Sequence, residues 1–173
     1  FTNDANFGDA TFTNAANFRG ATFTNDANFG DATFTNAANF RGATFTNDAN
    51  FGDATFTNAA NFERATFSFA IFRGATFSFA IFLGATFTNA ADFEHATFTN
   101  AADFERATFT NAADFERATF NRANFQDATF SRSAPPKGLP PGRVDEDGLP
   151  HGARWADADD EGLEAGSPDD APR

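Results

Sequence analysis

Residues 1–22 read FTNDANFGDATFTNAANFRGAT, residues 23–44 repeat them without a change, and residues 45–66 differ only at Glu63 and Arg64. Within this unit Phe recurs at alternating steps of six and five: Phe1, Phe7, Phe12, Phe18, Phe23. From Phe67 to Phe87 every step is five, through Phe72, Phe77 and Phe82. The six-five alternation returns through Phe93, Phe98, Phe104, Phe109 and Phe115, and steps of five close the array at Phe120, Phe125 and Phe130. An internal repeat of this length sets the architecture before any other feature does.

Ala stands two residues before each of these Phe from Phe7 onward, in a series that runs from Ala5 to Ala128. Side chains of an extended segment alternate between faces, so Ala at i−2 and Phe at i share one face. Thr, Asn, Asp, Arg and Glu fall on the other. The spare positions hold Gly, Asn and Asp, which suit corners. The period of eleven also fits a right-handed helical supercoil. Against it, Thr, Asn and Gly are poor helix formers. The phase change is sharper still: residues 67–87 lose two residues relative to the unit, and each loss would turn a helical stripe by roughly 100°. A square coil with one Ala and one Phe per side only shortens a corner.

The runs Ala-Asn-Phe-x-x and Ala-Thr-Phe-x-x resemble the pentapeptide repeat family, whose motif is Ala-(Asp/Asn)-(Leu/Phe)-x-x, here in a variant with alternating five- and six-residue steps. The resemblance covers residues 1–130. It implies an all-β fold, a right-handed quadrilateral parallel β-helix of about six coils, with Phe stacked along the axis. Thr often replaces Asn or Asp before the Phe, and every second side carries an extra residue such as Asp4 or Ala15, read as a bulged corner. Counting one Phe per side gives four columns. Column one starts at Phe1, column two at Phe7, column three at Phe12 and column four at Phe18.

Composition agrees with one packing environment used many times: 27 Phe, no Tyr, no Met and one Trp. Without Cys there is neither a disulfide nor a thiolate metal site. Apolar runs of a few residues span no membrane. The opening on Phe1, in mid-repeat, points to an incomplete N-terminus, and a cytoplasmic location is the expectation for this bacterial-type repeat. Residues 131–173 hold all seven Pro and ten of the 24 acidic residues. A segment this poor in large apolar groups is expected to form a disordered acidic tail, with Trp155 the one residue suited to capping the last coil or docking a partner.

The outward positions carry the functional signals. The fourth coil places Phe69, Ile71, Phe79, Ile81 and Leu83 outward on an otherwise polar rod, and exposed apolar groups of this kind mark contacts or self-association. The pairs Asp92/Glu94, Asp103/Glu105 and Asp114/Glu116 form a candidate acidic surface beside His95, Arg106 and Arg117. Stacked carboxylates suit Ca²⁺ only weakly, because no loop supplies the roughly six or more converging oxygens it takes. Thr22/Thr24 and Thr44/Thr46 on column one, and Thr11/Thr13 and Thr33/Thr35 on column three, make outward Thr arrays.

Catalytic chemistry has no foothold. His95 and His151 are the only histidines and sit in no metal-ligand spacing; no phosphate loop opens a helix. The reading is a non-catalytic scaffold that binds protein, with no cofactor, no metal, no small-molecule substrate and no direct nucleic-acid contact, since the net charge is −12 and an acidic surface repels phosphates. Two alternatives follow. One is ice or crystal-surface binding through the Thr arrays. The other, implied by the family resemblance, is a DNA mimic that binds a type II topoisomerase such as gyrase. Against mimicry, the repeat region carries 14 acidic and 7 basic side chains, a net of −7, under half of the roughly 17 charges of a duplex of equal length.

Overall fold

A computed structural model describes residues 1–139 and 144–156. Among these residues every element is a strand and successive coils pair in parallel, with Ala over Ala and Phe over Phe: Ala5 against Ala27, Phe12 against Phe34, Phe67 against Phe87. Two sheets result, of eleven and eight strands among the described residues. The first carries columns one and two, the second columns three and four. No helix among the described residues is long and apolar enough to cross a membrane.

The two step lengths make two kinds of corner. At a five-residue step after columns two and four the chain reverses in a tight turn. Ala10 N–H donates to the Phe7 carbonyl at 3.1 Å and Ala21 N–H to that of Phe18 at 3.0 Å. The residue before Ala then takes positive φ, as at Asp9 (59°) and Gly20 (66°). This is the third position of a type II turn, which suits Gly and tolerates Asp. At a six-residue step the strand runs through the corner instead, as in Thr44–Asn50 and Thr55–Asn61. Where the fourth coil drops that extra residue, the ladder slips between Phe67 and Phe69 and again between Phe77 and Phe79. The extra residues are therefore bulges in a continuous strand, as their placement in the repeat predicts.

Phe fills the interior. Rings within a column stack face to face, with centroids 4.7 Å apart for Phe23 and Phe45 and 5.0 Å for Phe72 and Phe93. Columns two and four also touch across the centre: Phe29 meets Phe40 edge-on at 5.3 Å, and Phe51 meets Phe62 at 5.4 Å. Edge-to-face and offset contacts are the arrangements aromatic quadrupoles favour. No polar side chain is buried among the described residues. Alternation has put every polar group outside, so the core needs no internal hydrogen-bond network.

The solenoid does not end where the regular repeat ends. Past Phe130 the chain returns, and the strand Arg154–Trp155 pairs in parallel with Thr129–Phe130, so that Trp155 lies in register with Phe130. Gly152-Ala153-Arg154-Trp155 occupies the place that Gly20-Ala21-Thr22-Phe23 holds in the first coil and Asp127-Ala128-Thr129-Phe130 in the last regular one. Ala153 N–H donates to the Pro150 carbonyl at 2.9 Å, as Ala21 N–H does to that of Phe18, and Asp127 N–H donates to the Gly152 carbonyl at 2.8 Å. Leu149 is 1% exposed and joins the core. Leu149 and Trp155 thus pack against the last coil beyond Phe130, the place for which the sequence offered Trp155 as a cap. Residues 140–143 and 157–173, for which composition predicts disorder, lie outside the described residues.

Candidate functional site

On columns two and four the residue before Phe is Asn or Asp in every coil but one, and its side chain has a structural task. Asn6 Oδ1 accepts the Gly8 N–H at 3.0 Å, Asn28 that of Gly30 at 2.9 Å, and Asp103 that of Glu105 at 3.0 Å. These Asx turns hold the tight corner. The amides also link coil to coil, with Asn28 Nδ2 donating to Asn6 Oδ1 at 3.2 Å and Asn50 Nδ2 to Asn28 Oδ1 at 3.1 Å.

The fourth coil is the exception. Ile71 lies in register between Asn50 and Asp92, and Ile81 between Asn61 and Asp103. An isoleucine offers no acceptor, so both corners lose the Asx bond, and the amide ladder of column two stops at Asn50. Phe69 and Phe79 stand at the two shortened corners and are 44% and 46% exposed; Ile71 is 36% exposed. Ile81 and Leu83 are half-buried.

A shortened corner does not itself call for an aromatic. The step from Phe120 to Phe125 is also five residues, and Arg122 there takes the place of Phe79, with Asn124 in the place of Ile81. Asn124 keeps its turn bond to the Gln126 N–H at 3.0 Å. The same backbone thus closes with wholly polar residues.

The five apolar residues do not form one belt. The heptapeptide Thr-Phe-Ser-Phe-Ala-Ile-Phe occurs twice, at 66–72 and 76–82. The strand Thr66–Ile71 belongs to the first sheet and Thr76–Ile81 to the second. Phe69 with Ile71, and Phe79 with Ile81 and Leu83, are therefore two like patches at diagonally opposite corners of one coil. The duplicated heptapeptide was the sequence signal for this division, and counting Phe alone passes over it.

The acidic pairs prove to be turn devices. Asp92 and Asp114 accept the N–H groups of Glu94 and Glu116, each at 2.8 Å. Glu94 lies 2.8 Å from Arg73 and 3.3 Å from His95, and Glu105 lies 3.6 Å from Arg106. Asp92 and Asp114 are in register on column two, while Asp103 lies on column four. Pairing of this kind removes free negative charge that a DNA mimic requires. Among the described residues no group of His, Cys, Asp or Glu has the arrangement to hold a metal ion.

The Thr arrays are also partly engaged within the rod. Thr46 Oγ1 donates to the Thr24 carbonyl and Thr57 Oγ1 to that of Thr35, both at 2.9 Å. Ser68 and Ser78 interrupt them at the fourth coil, beside the protruding Phe69 and Phe79. Among the described residues a small apolar cleft lies under the C-terminal cap, lined by Phe120, Phe125, Leu139 and Val144 among others.

Comparison with known proteins bears on the family and on little else. No curated protein matches the chain. Among solved structures, a trypsin-treated variant of QnrB1, a plasmid-mediated fluoroquinolone resistance protein, aligns over 85% of this chain and 87% of its own, at 16% identity and a TM-score of 0.21. A superposition at that score carries no inference about role. The family model for pentapeptide repeats (9 copies) matches residues 1–44, 31–68, 40–82, 53–97 and 93–135. Together these segments cover the whole stacked array of Phe and Ala, and the chain belongs to the pentapeptide repeat family.

Proposed function

We propose that this pentapeptide-repeat rod is a non-catalytic scaffold that binds protein through the two apolar corners of its fourth coil. The observation that carries the reading is a local sacrifice. At Ile71 and Ile81 the repeat gives up a turn-closing hydrogen bond that ten equivalent corners keep, and Phe69 and Phe79 project where the sixth coil manages with Arg122. Residues that break a local rule without a structural gain are expected at functional sites. Exposed Phe and Ile are also the side chains that supply contact area in protein interfaces.

The test is stability. In Ile71→Asn/Ile81→Asn each new amide would take up the idle N–H of Arg73 or Leu83, a hydrogen bond of about 0.5–1.5 kcal/mol. The double variant is expected to unfold at higher denaturant than the wild type, by about 1–2 kcal/mol in all, with no loss of β-sheet circular dichroism. A fall in stability would make the isoleucines packing residues and end this reading. A photo-reactive phenylalanine at position 69 or 79 should give cross-linked adducts that the same group at position 57, on the Thr face, does not.

A further inference from the structure

We infer that the partner of each apolar corner is the opposite corner of a second copy of this chain, so that rods associate side by side in antiparallel pairs; this rests on the scaffold reading above. The two patches share one heptapeptide but not one electrostatic setting. Phe69 lies in register with Asp48, and Ile71 with Asp92. Neither carboxylate has an ion-pair partner among the described residues. On the other corner, Arg122 is exposed and has no carboxylate partner among the described residues, while Glu63 is already engaged by Arg41 at 3.1 Å and Glu105 by Arg106 at 3.6 Å. Each isoleucine has a carboxylate without an ion pair in register, Asp92 beside Ile71 and Asp103 beside Ile81, and the corners differ along their aromatic rows, with Asp48 one coil from Phe69 and Arg122 two coils beyond Phe79. Such complementary rows favour contact between unlike patches over contact between like ones.

Shape and spacing match as well. Phe79, Asn100, Ala101, Asn121 and Arg122 border a groove, with Ala101 exposed on the coil between Phe79 and Arg122. Ala101 pairs with Arg122 one coil further on, just as Asp48 and Phe69 are one coil apart. With the rods antiparallel, Phe69 of the second copy laid over Ala101 brings its Asp48 against Arg122. Parallel rods would set Asp48 against Phe79 instead. Because the two corners lie on opposite sheets, each copy keeps one unused corner, and unlike contacts of this kind grow as an open row rather than closing into a ring.

Sedimentation velocity of the full chain, from micromolar to millimolar protein at low salt, tests this. The weight-average mass should more than double across the range and fall back as salt is added. Asp48→Arg and Arg122→Asp should each remain monomeric, and the chain carrying both substitutions should associate again. Equimolar Asp48→Arg and Arg122→Asp should associate on mixing and grow as alternating rows, although each alone stays monomeric, since the introduced arginine of the first meets the introduced aspartate of the second, and Arg122 of the first meets Asp48 of the second. A wild type that stays monomeric at millimolar protein would overturn the inference while leaving the stability test of the scaffold reading untouched. Single variants that associate as the wild type does would also overturn it, because they would place the contact elsewhere.

Discussion

Phe51→Ala should destabilise the rod by about 5 kcal/mol and Phe56→Ala by about 3, the two ends of the range for emptying a buried Phe site. Both rings are fully enclosed, at 0% and 1% exposure. They differ in what they touch. Phe51, in column two, stacks on Phe29 and Phe72 and meets Phe40 and Phe62 across the centre, besides its neighbours Phe45 and Phe56. Phe56, in column three, stacks on Phe34 and Phe77 and otherwise meets only Phe51 and Phe62. A cavity at Phe51 therefore opens beneath four other columnar contacts, in a place where the rigid coils above and below cannot close on it. Equilibrium denaturation of both variants measures the difference. Equal losses would mean that the cross-centre ring contacts add nothing to the column stacks.

That inequality between columns could not be read in the sequence. All four sides present the same Ala-x-Phe, and the repeat gives each Phe one equivalent place. The distinction arises from the corners. A side that ends in a tight turn sends its ring across the axis, whereas a side that runs on through a bulged corner does not; Phe34 and Phe23, on columns of the second kind, make no ring contact with each other. The register itself was fully legible, because a period of two fixes which side chains face inward and leaves no freedom to slip.

The candidate site was legible in part. Register alone put Phe69, Ile71, Phe79, Ile81 and Leu83 outside. It did not reveal that Asn and Asp before Phe hold the corners, because an outward amide and a turn-closing amide look the same in a one-dimensional pattern. For the same reason Asp92, Asp103 and Asp114 read as surface charge, although each spends an oxygen on the backbone N–H two residues on. Trp155 was legible as a cap for the last coil, but its register was not, because Arg154 replaces Thr and Trp155 replaces Phe within a stretch dominated by Pro, Gly and acid. The surviving signal is Gly-Ala-x-aromatic at 152–155.

Deleting residues 134–173 should cost about 5 kcal/mol or more and make the rod aggregate, since a solenoid needs its terminal coil covered. The cap buries Leu149 completely and half-buries Leu139 and Trp155, each worth about 1.5–3 kcal/mol when fully withdrawn from water. It also takes up exposed strand edges. Arg154 N–H donates to the Ala128 carbonyl and Ala156 N–H to that of Phe130, both at 2.8 Å, and Phe115 N–H donates to the Lys137 carbonyl at 2.9 Å. Without these partners the last sheet edges and the rings of Phe120, Phe125 and Phe130 face solvent together, which is the arrangement that recruits another chain. Arg132, whose guanidinium lies 5.5 Å from the Trp155 ring centre, covers its outer face. A point variant separates the cap from the acidic segment that follows. Gly138 has φ of 69°, and a Cβ on it would overlap the backbone of Phe115 and Glu116. Gly138→Ala should therefore loosen the cap without removing any residue, lowering the denaturation midpoint and raising binding of an apolar dye. If the truncated rod stays soluble and as stable as the full chain, the stacked Phe columns are self-sufficient at that end and Trp155 packs there without consequence.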